Sequence, residues 1–240
     1  QSLFFSATMS SEVNQLAKTL LCDPIRIEVT AQATTVDNVR QQLYYIDKNK
    51  KQKLLHKLLK KKRVTSALVF TRTKSKADHL TMFLKIYNIS CDVIHGGRSQ
   101  DKRTKAIEDF KSGKIRVLVA TDIAARGIDI DNISHVVNYE LPNKPEVYIH
   151  RIGRTARAGA VGTTYTFCCA EERSYLLKIQ KLIKQEIQVI NHKYHSEYAK
   201  TAVGKAAEPP PRREKDIKGK KKGRGKFKPI HKSNKHSFSK

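Results

Sequence analysis

The chain has 240 residues and 39% hydrophobic content, enough for one sizeable core in one large domain or two small ones. Lysine and arginine outnumber aspartate and glutamate by 48 to 22, and the resulting +26 favours polyanionic partners, nucleic acid ahead of an anionic membrane. No apolar run approaches the ~18 to 20 residues of a membrane span, and no secretory signal opens the chain, so membrane insertion is not expected.

In chain order, residues 2–6 (SLFFS) are a short apolar run of strand type. Val13, Leu16, Ala17, Leu20 and Leu21 then follow the spacing of a helical stripe, stopped by Asp23-Pro24. Residues 25–29 (IRIEV) alternate like a strand, and 30–38 are small and polar like a linker. From 39 to about 190, strand-like runs at 40–46, 67–71, 92–95, 116–120, 134–139 and 163–168 alternate with helical stripes. That alternation predicts an α/β fold, a mainly parallel sheet with helices on both faces. Ligands of such sheets sit beyond the carboxyl ends of the strands. Residues 200–240 differ: 15 lysines and arginines face 3 acids, and Pro209 to Pro211 are consecutive. Such a composition predicts disorder, because too little apolar surface is available to offset the ordering entropy. The four cysteines, Cys22, Cys91, Cys168 and Cys169, lack metal-type spacing and read as small buried hydrophobes in a reducing, cytoplasmic compartment.

Several stretches carry chemistry. In HRIGRTARAG (150–159) three arginines and a histidine stand without a carboxylate. With Asn143 and Glu146 as a start and Pro145 in the first turn, a helix through this region places His150, Arg154 and Arg157 within about 60° of one another and Arg151 toward the edge. Guanidinium forks suit phosphate oxygens; a solvated basic face is the other reading. In ATDIAARGIDI (120–130) a buried-type strand ends in Thr121-Asp122, with Gly127 and Asp129 beyond it, residues that could donate to a phosphate and accept from sugar hydroxyls. A strand, a capping aspartate and a turn would look the same. HGGRSQDKR (95–103) pairs Gly96 with Gly97, where a backbone can approach a ligand closely, and spaces Gln100 and Arg103 for one helical face. VFTRT (69–73) puts Thr71 and Thr73 at a strand end.

Together these stretches resemble the ordered motifs of DEAD-box RNA helicases, a branch of superfamily 2. Ser6-Ala7-Thr8 resembles motif III and VFTRT motif IV; HGGRSQDKR resembles the glycine and Q-x-x-R element, ATDIAARGIDI motif V, and HRIGRTARAG motif VI. GRTARAGA and the basic tail resemble the bacterial RhlE-type branch; Ala156 stands where glycine is commoner. The resemblance implies a RecA-like helicase C-terminal domain at 39–190, a remnant of a first RecA-like domain at 1–30, a linker at 31–38, and a basic tail at 191–240. It implies ATP and Mg²⁺ as cofactors, with the Mg²⁺ ligands in the first domain. Arg154 and Arg157 would be arginine fingers on the phosphates, with His150 the third catalytic residue; Gly127 and Asp129 would hold the nucleotide. Thr71, Thr73, Gly97, Gln100, Arg103 and Thr121 would bind the RNA backbone without sequence preference. Ser6, Thr8, His150 and Arg151 would couple the two domains.

None of the four Gly-Lys pairs (at Gly113, Gly204, Gly219 and Gly225) has glycine five residues earlier, and no D-E-A-D occurs. The chain therefore reads as the C-terminal half of an ATP-dependent RNA helicase, inactive alone as an ATPase. It would be completed in cis by the first RecA-like domain; ribosome-assembly and RNA-decay factors are the protein partners left open. The alternative is a non-catalytic RNA-binding module.

Overall fold

The computed structural model describes residues 2–6, 9, 11–27, 39–125, 130, 133–155 and 162–209. After helix α1 (Ser11–Leu20) the elements alternate: β1 (Val39–Tyr45), α2 (Lys51–Leu59), β2 (Ala67–Thr71), α3 (Lys74–Ile86), β3 (Cys91–Ile94) and α4 (Gln100–Lys111). They continue through β4 (Val117–Thr121), α5 (Asp122–Ala125), β5 (His135–Asn138), α6 (Pro145–Ile152), β6 (Gly162–Cys168), α7 (Arg173–Ile183), β7 (Gln188–Val189) and α8 (Glu197–Thr201). The strands form one seven-stranded sheet in the order β3-β4-β2-β5-β6-β1-β7, and every strand pairing is parallel.

Burial on both faces explains why ALVFT and VLVAT are near-continuous apolar runs. Val69, Val119, Val137, Tyr165 and Phe167 point to one face, where α2 and α3 contribute Leu54, Leu55, Leu58, Ala77, Leu80 and Leu84. Leu68, Phe70, Leu118, Ala120 and Val136 point to the other, under Ala106 and Phe110 of α4. On that side, toward β1, Leu43 and Tyr45 meet Tyr148 and Ile152 of α6 and Leu176 and Ile179 of α7. At about 1.5–3 kcal/mol for each large apolar side chain buried, these clusters are the dominant stabilising term.

The expected strands from 40 to 168 all form, shifted by a residue or two. Residues 2–6 and 25–27 do not form strands. Leu3, Phe5, Ile25 and Ile27 are 72–90% exposed, and strands of that length need a hydrogen-bonded neighbour, which the described residues do not provide. Residues 28 and 29 of the second run, and the whole linker, lie outside the described residues.

The folded part also extends past residue 190, into the tail expected at 191–240. Ile190 N donates to Leu43 O at 2.8 Å and Ser196 N to Tyr45 O at 3.1 Å, continuing the β1 edge beyond β7. Ala199 of α8 packs against the β1 side, and Ala202 and Ala207 are buried with Ala170. Alanines contribute little to a hydropathy count yet allow close backbone packing. Residues 210–240 lie outside the described set. Of the cysteines, Cys91, Cys168 and Cys169 are buried as expected; Cys22 is exposed, and all four are free.

Candidate nucleotide and nucleic-acid site

The parallel pairing sets Thr71 of β2 directly beside Thr121 of β4, both at carboxyl ends and both buried. Next to them β3 ends in His95-Gly96-Gly97. His95 accepts from Gly97 N at Nδ1 (3.1 Å), so its Nε2–H points to Asp78 of α3, also at 3.1 Å, and Arg98 Nη2 donates to the same carboxylate at 2.9 Å. Burial works to raise the Asp78 carboxyl, but the hydrogen bonds from His95 and Arg98 and the Arg98 charge outweigh it and hold it below its ordinary value. A Cβ at Gly97 would lie 3.1 Å from the His95 ring, whereas one at Gly96 meets only Lys74 at 3.7 Å. The steric need for glycine at 97 is therefore an internal one, set by His95.

Helix α4 starts at Gln100, and the Q-x-x-R spacing does place its two ends together: Arg103 Nη1 donates to Gln100 Oε1 at 2.9 Å, and Nη2 reaches Ala124 O at 3.4 Å. Arg103 thereby ties α4 to the turn after β4. Thr73 has a local role: its hydroxyl caps α3 by accepting from Lys76 N at 3.3 Å.

The region after β5 departs from the expected helix. Lys144, not Asn143, is the N-cap, with Pro145 the first helical residue. The helix stops at Ile152 with Gly153 as C-cap, and Arg154 N and Thr155 N turn back to Arg151 O and Ile152 O. His150 and Arg154 therefore do not share one continuous helical face. They meet instead across a small cleft lined by Phe70, Asp122, Ala125, Val147, His150, Arg151 and Arg154.

Arg151, read from the helical wheel as an edge residue, is 2% exposed. Its Nε and Nη2 grip Asp122 at 2.6 and 2.9 Å, its Nη1 donates to Asn138 Oδ1 at 3.0 Å and Glu140 O at 2.7 Å, and the guanidinium stacks 4.8 Å from the Phe70 ring centre. One side chain thus binds the ends of β4 and β5 and packs over the end of β2. Its charge is matched by Asp122.

A second charged assembly lines a cavity of about 190 Å³ beyond β2, β5 and β6. Lys51 Nζ contacts Glu172 at 2.5 Å and Tyr139 O at 2.9 Å; Arg72 lies between Glu140 and Glu172 at 3.5 and 3.7 Å, and Lys76 also pairs with Glu140. Burial favours a higher Glu140 value, but hydrogen bonds from Lys76 and the Arg72 backbone, with both their charges, hold it below the ordinary one. These charges satisfy one another and scaffold the loops.

Sequence reading missed Asp78, Asn138, Glu140, Lys51 and Glu172. Asp122 was visible in the Thr-Asp pair at a strand end, though only as a cap. Ser6 is exposed, within the run 2–6. Thr8, Gly127, Asp129 and Arg157 lie outside the described residues.

A parallel sheet whose strand ends gather Thr71, Thr121, the His95 loop and the segment from His150 to Arg154 defines a helicase C-terminal domain of the RecA-like type. Residues 50–159 match the family model described as the helicase conserved C-terminal domain. The chain is 41% identical over 187 residues to the DEAD-box ATP-dependent RNA helicase CshA of Bacillus subtilis, covering 78% of this chain and 38% of CshA. It is 40% identical over 199 residues to the ATP-dependent RNA helicase DbpA of the same organism, covering 83% and 42%. Among solved structures, the E. coli DEAD-box protein SrmB bound to regulator of ribonuclease activity A is 37% identical with TM-score 0.63, over 66% of this chain and 95% of that one. S. cerevisiae Dbp5 bound to RNA and ADP BeF3 is 33% identical with TM-score 0.70, over 78% and 50%. The chain belongs to the DEAD-box family. These matches do not single out the RhlE-type branch, and the chain spans well under half the length of the curated relatives.

Proposed function

We propose that this chain is the C-terminal half of an ATP-dependent RNA helicase, in which it holds RNA backbone and completes a nucleotide site. The observation that carries the reading is the cleft where Arg154 and His150 stand beside the Arg151–Asp122 pair, one strand end from the buried Thr71–Thr121 neighbours. In support, a structural neighbour, Dbp5, is described bound to RNA and ADP BeF3.

ATP, when bound between the two RecA-like domains, supplies the phosphoryl group whose transfer drives the cycle. Arg154, with Arg157 three residues on, donates to its phosphates and stabilises charge in the transition state. Gly127 and Asp129 receive the nucleotide's sugar. His150 and Arg151 relay between this site and Ser6 and Thr8; Arg151 does so as a positioning residue, because its guanidinium is committed to Asp122. Thr71, Thr73, Gly97, Gln100, Arg103 and Thr121 hold RNA sugar-phosphate, which makes binding salt-dependent and nearly sequence-blind. This reading assigns the Mg²⁺ carboxylates to the first domain. No helix among the described residues is long and apolar enough to cross a membrane, and the cytoplasm is the compartment proposed.

The test has two arms. The purified 240-residue chain should show no RNA-stimulated ATP hydrolysis above an Arg154→Ala control, and turnover well above that control overturns the reading of an incomplete site. In the intact protein, Arg154→Ala should lower kcat by about 10³-fold or more while leaving RNA affinity without nucleotide unchanged.

A further inference from the structure

At the opposite end of the sheet from the site above, α2 runs into the sequence Lys60-Lys61-Lys62-Arg63 before β2 begins. Leu58, Leu59 and Val64 are buried on either side, so the four cations are presented by an anchored turn. Lys60 N and Lys61 N donate to His56 O and Leu58 O, Val64 N donates to Lys61 O, and Arg116 Nη2 holds Leu59 O at 2.8 Å. Lys57 stands one helical turn before Lys61. Lys57, Lys60, Lys62 and Arg63 are exposed and Lys61 is half-buried. Among the described residues none of the five pairs with a carboxylate, and Arg116 brings a sixth unpaired charge whose buried Nε has no hydrogen-bond partner.

Neighbouring groups register this uncompensated field. Burial pushes the Lys61 ammonium below its ordinary value, and the charges of Arg63 and Lys57 push it further the same way. His135, at the start of β5, is pushed down to about 4 by burial, with Arg63 and Lys61 adding to the effect. The negative end of a helix dipole accounts for one or two cations in the last turn, and its influence fades within that turn. Four consecutive cations extending past the helix end go beyond that, and their mutual repulsion calls for an external anion.

We propose that Lys57, Lys60, Lys61, Lys62, Arg63 and Arg116 form a second RNA-binding surface, which grips the phosphate backbone of duplex RNA flanking the segment held at the strand ends. The identity of the polyanion rests on the RNA reading above; the position of the surface does not. Residues 57–63 present lysine and arginine with no exposed aromatic or large apolar side chain. Interfaces between proteins deplete lysine and need such anchors, whereas phosphate backbone is met by point charges. The four steps of β2 separate the two surfaces by about 13 Å or more, so one RNA must be long enough to reach both.

The experiment compares the full 240-residue chain with a variant carrying Lys60→Gln, Lys61→Gln, Lys62→Gln and Arg63→Gln, across a salt series. The probes are a blunt RNA duplex of about 25 base pairs and a single strand of about 8 nucleotides. The variant should bind the duplex about tenfold or more weakly at low salt, with the slope of log affinity against log salt reduced by about 2 to 3, and should bind the short strand as the unmodified chain does. Replacing Lys60, Lys61 and Lys62 by arginine should preserve duplex affinity, and thermal unfolding of the glutamine variant should match the parent. An unchanged duplex affinity and slope overturns the proposal. So does unchanged RNA binding with lost affinity for polyglutamate, which would assign the surface to an acidic protein. Arg103→Ala separates this from the strand-end reading: if that variant keeps full short-strand affinity, the strand-end contacts fail, while the basic surface is still judged on the duplex alone.

Discussion

Replacing Arg151 with alanine should destabilise the folded domain by about 4 kcal/mol, within the range for breaking a buried ion pair from one side. The magnitude follows from what the guanidinium leaves behind. Asp122, whose side chain is 26% exposed, can recover part of its hydration. The Asn138 side chain is fully buried and the Glu140 carbonyl belongs to a residue 4% exposed. Each loses a donor and remains out of reach of water, at about 1–3 kcal/mol per unsatisfied group, and the space over Phe70 adds a cavity cost. Urea unfolding followed by circular dichroism reads this directly: with a slope of about 2–3 kcal/mol per molar, the midpoint should fall by about 1.3–2 M. Arg151→Lys should recover only part of the loss, since an ammonium cannot span both Asp122 oxygens and reach Asn138. A double-mutant cycle with Asp122→Ala should give a coupling of about 2 kcal/mol or more. A cost below about 1 kcal/mol for Arg151→Ala would show that the pair does not bind the strand ends together.

Two further predictions concern pH. Glu140 has its carboxyl held below the ordinary 4.5, so its contribution is complete above about pH 4.5 and is lost as the pH falls through the folded value. The stability gap between the parent and Glu140→Gln should narrow as the pH falls below about 4.5, and a constant gap in urea midpoints would refute it. His135 is held neutral, with its value pushed from 6.5 to about 4. The unfolded chain therefore takes up the proton first, and relative to His135→Gln the parent should lose stability as pH falls from 6.5 to about 4, then level off; parallel pH profiles would contradict this. Ending the chain after Pro209 preserves the packing of Ala207 on Ala170 and removes the most basic stretch. RNA affinity should fall, most at low salt, and an unchanged affinity and slope would dismiss the tail as a tether.

Motif order was legible because each motif is local: a strand, its carboxyl end and the few residues after it. The strands at 67–71 and 116–120 were legible because burial on both faces leaves a continuous apolar run. The helix after Asn143 was overextended because Arg154 and Arg157 repeat at a spacing that imitates helical periodicity, whereas Gly153 ends the helix and turns the chain. The partners of the site were not legible. Arg151 meets Asp122 across 29 residues, Arg72 meets Glu140 across 68 and Lys51 meets Glu172 across 121, and no local pattern encodes such pairings.

By itself the sequence determined the α/β class, the parallel arrangement, the positive charge and the family's motifs, since hydrophobic period and residue type act over a few residues of chain. Only the tertiary structure decided which arginine would be a structural lock and which would line the cleft. Closing the sheet brings Asp122, Asn138 and the Glu140 carbonyl around Arg151, and a buried guanidinium is stable only where its donors are satisfied. The same closure brings 191–209 onto the β1 edge. It also leaves the cations from Lys57 to Arg63, at the opposite end of the sheet, without a carboxylate partner among the described residues.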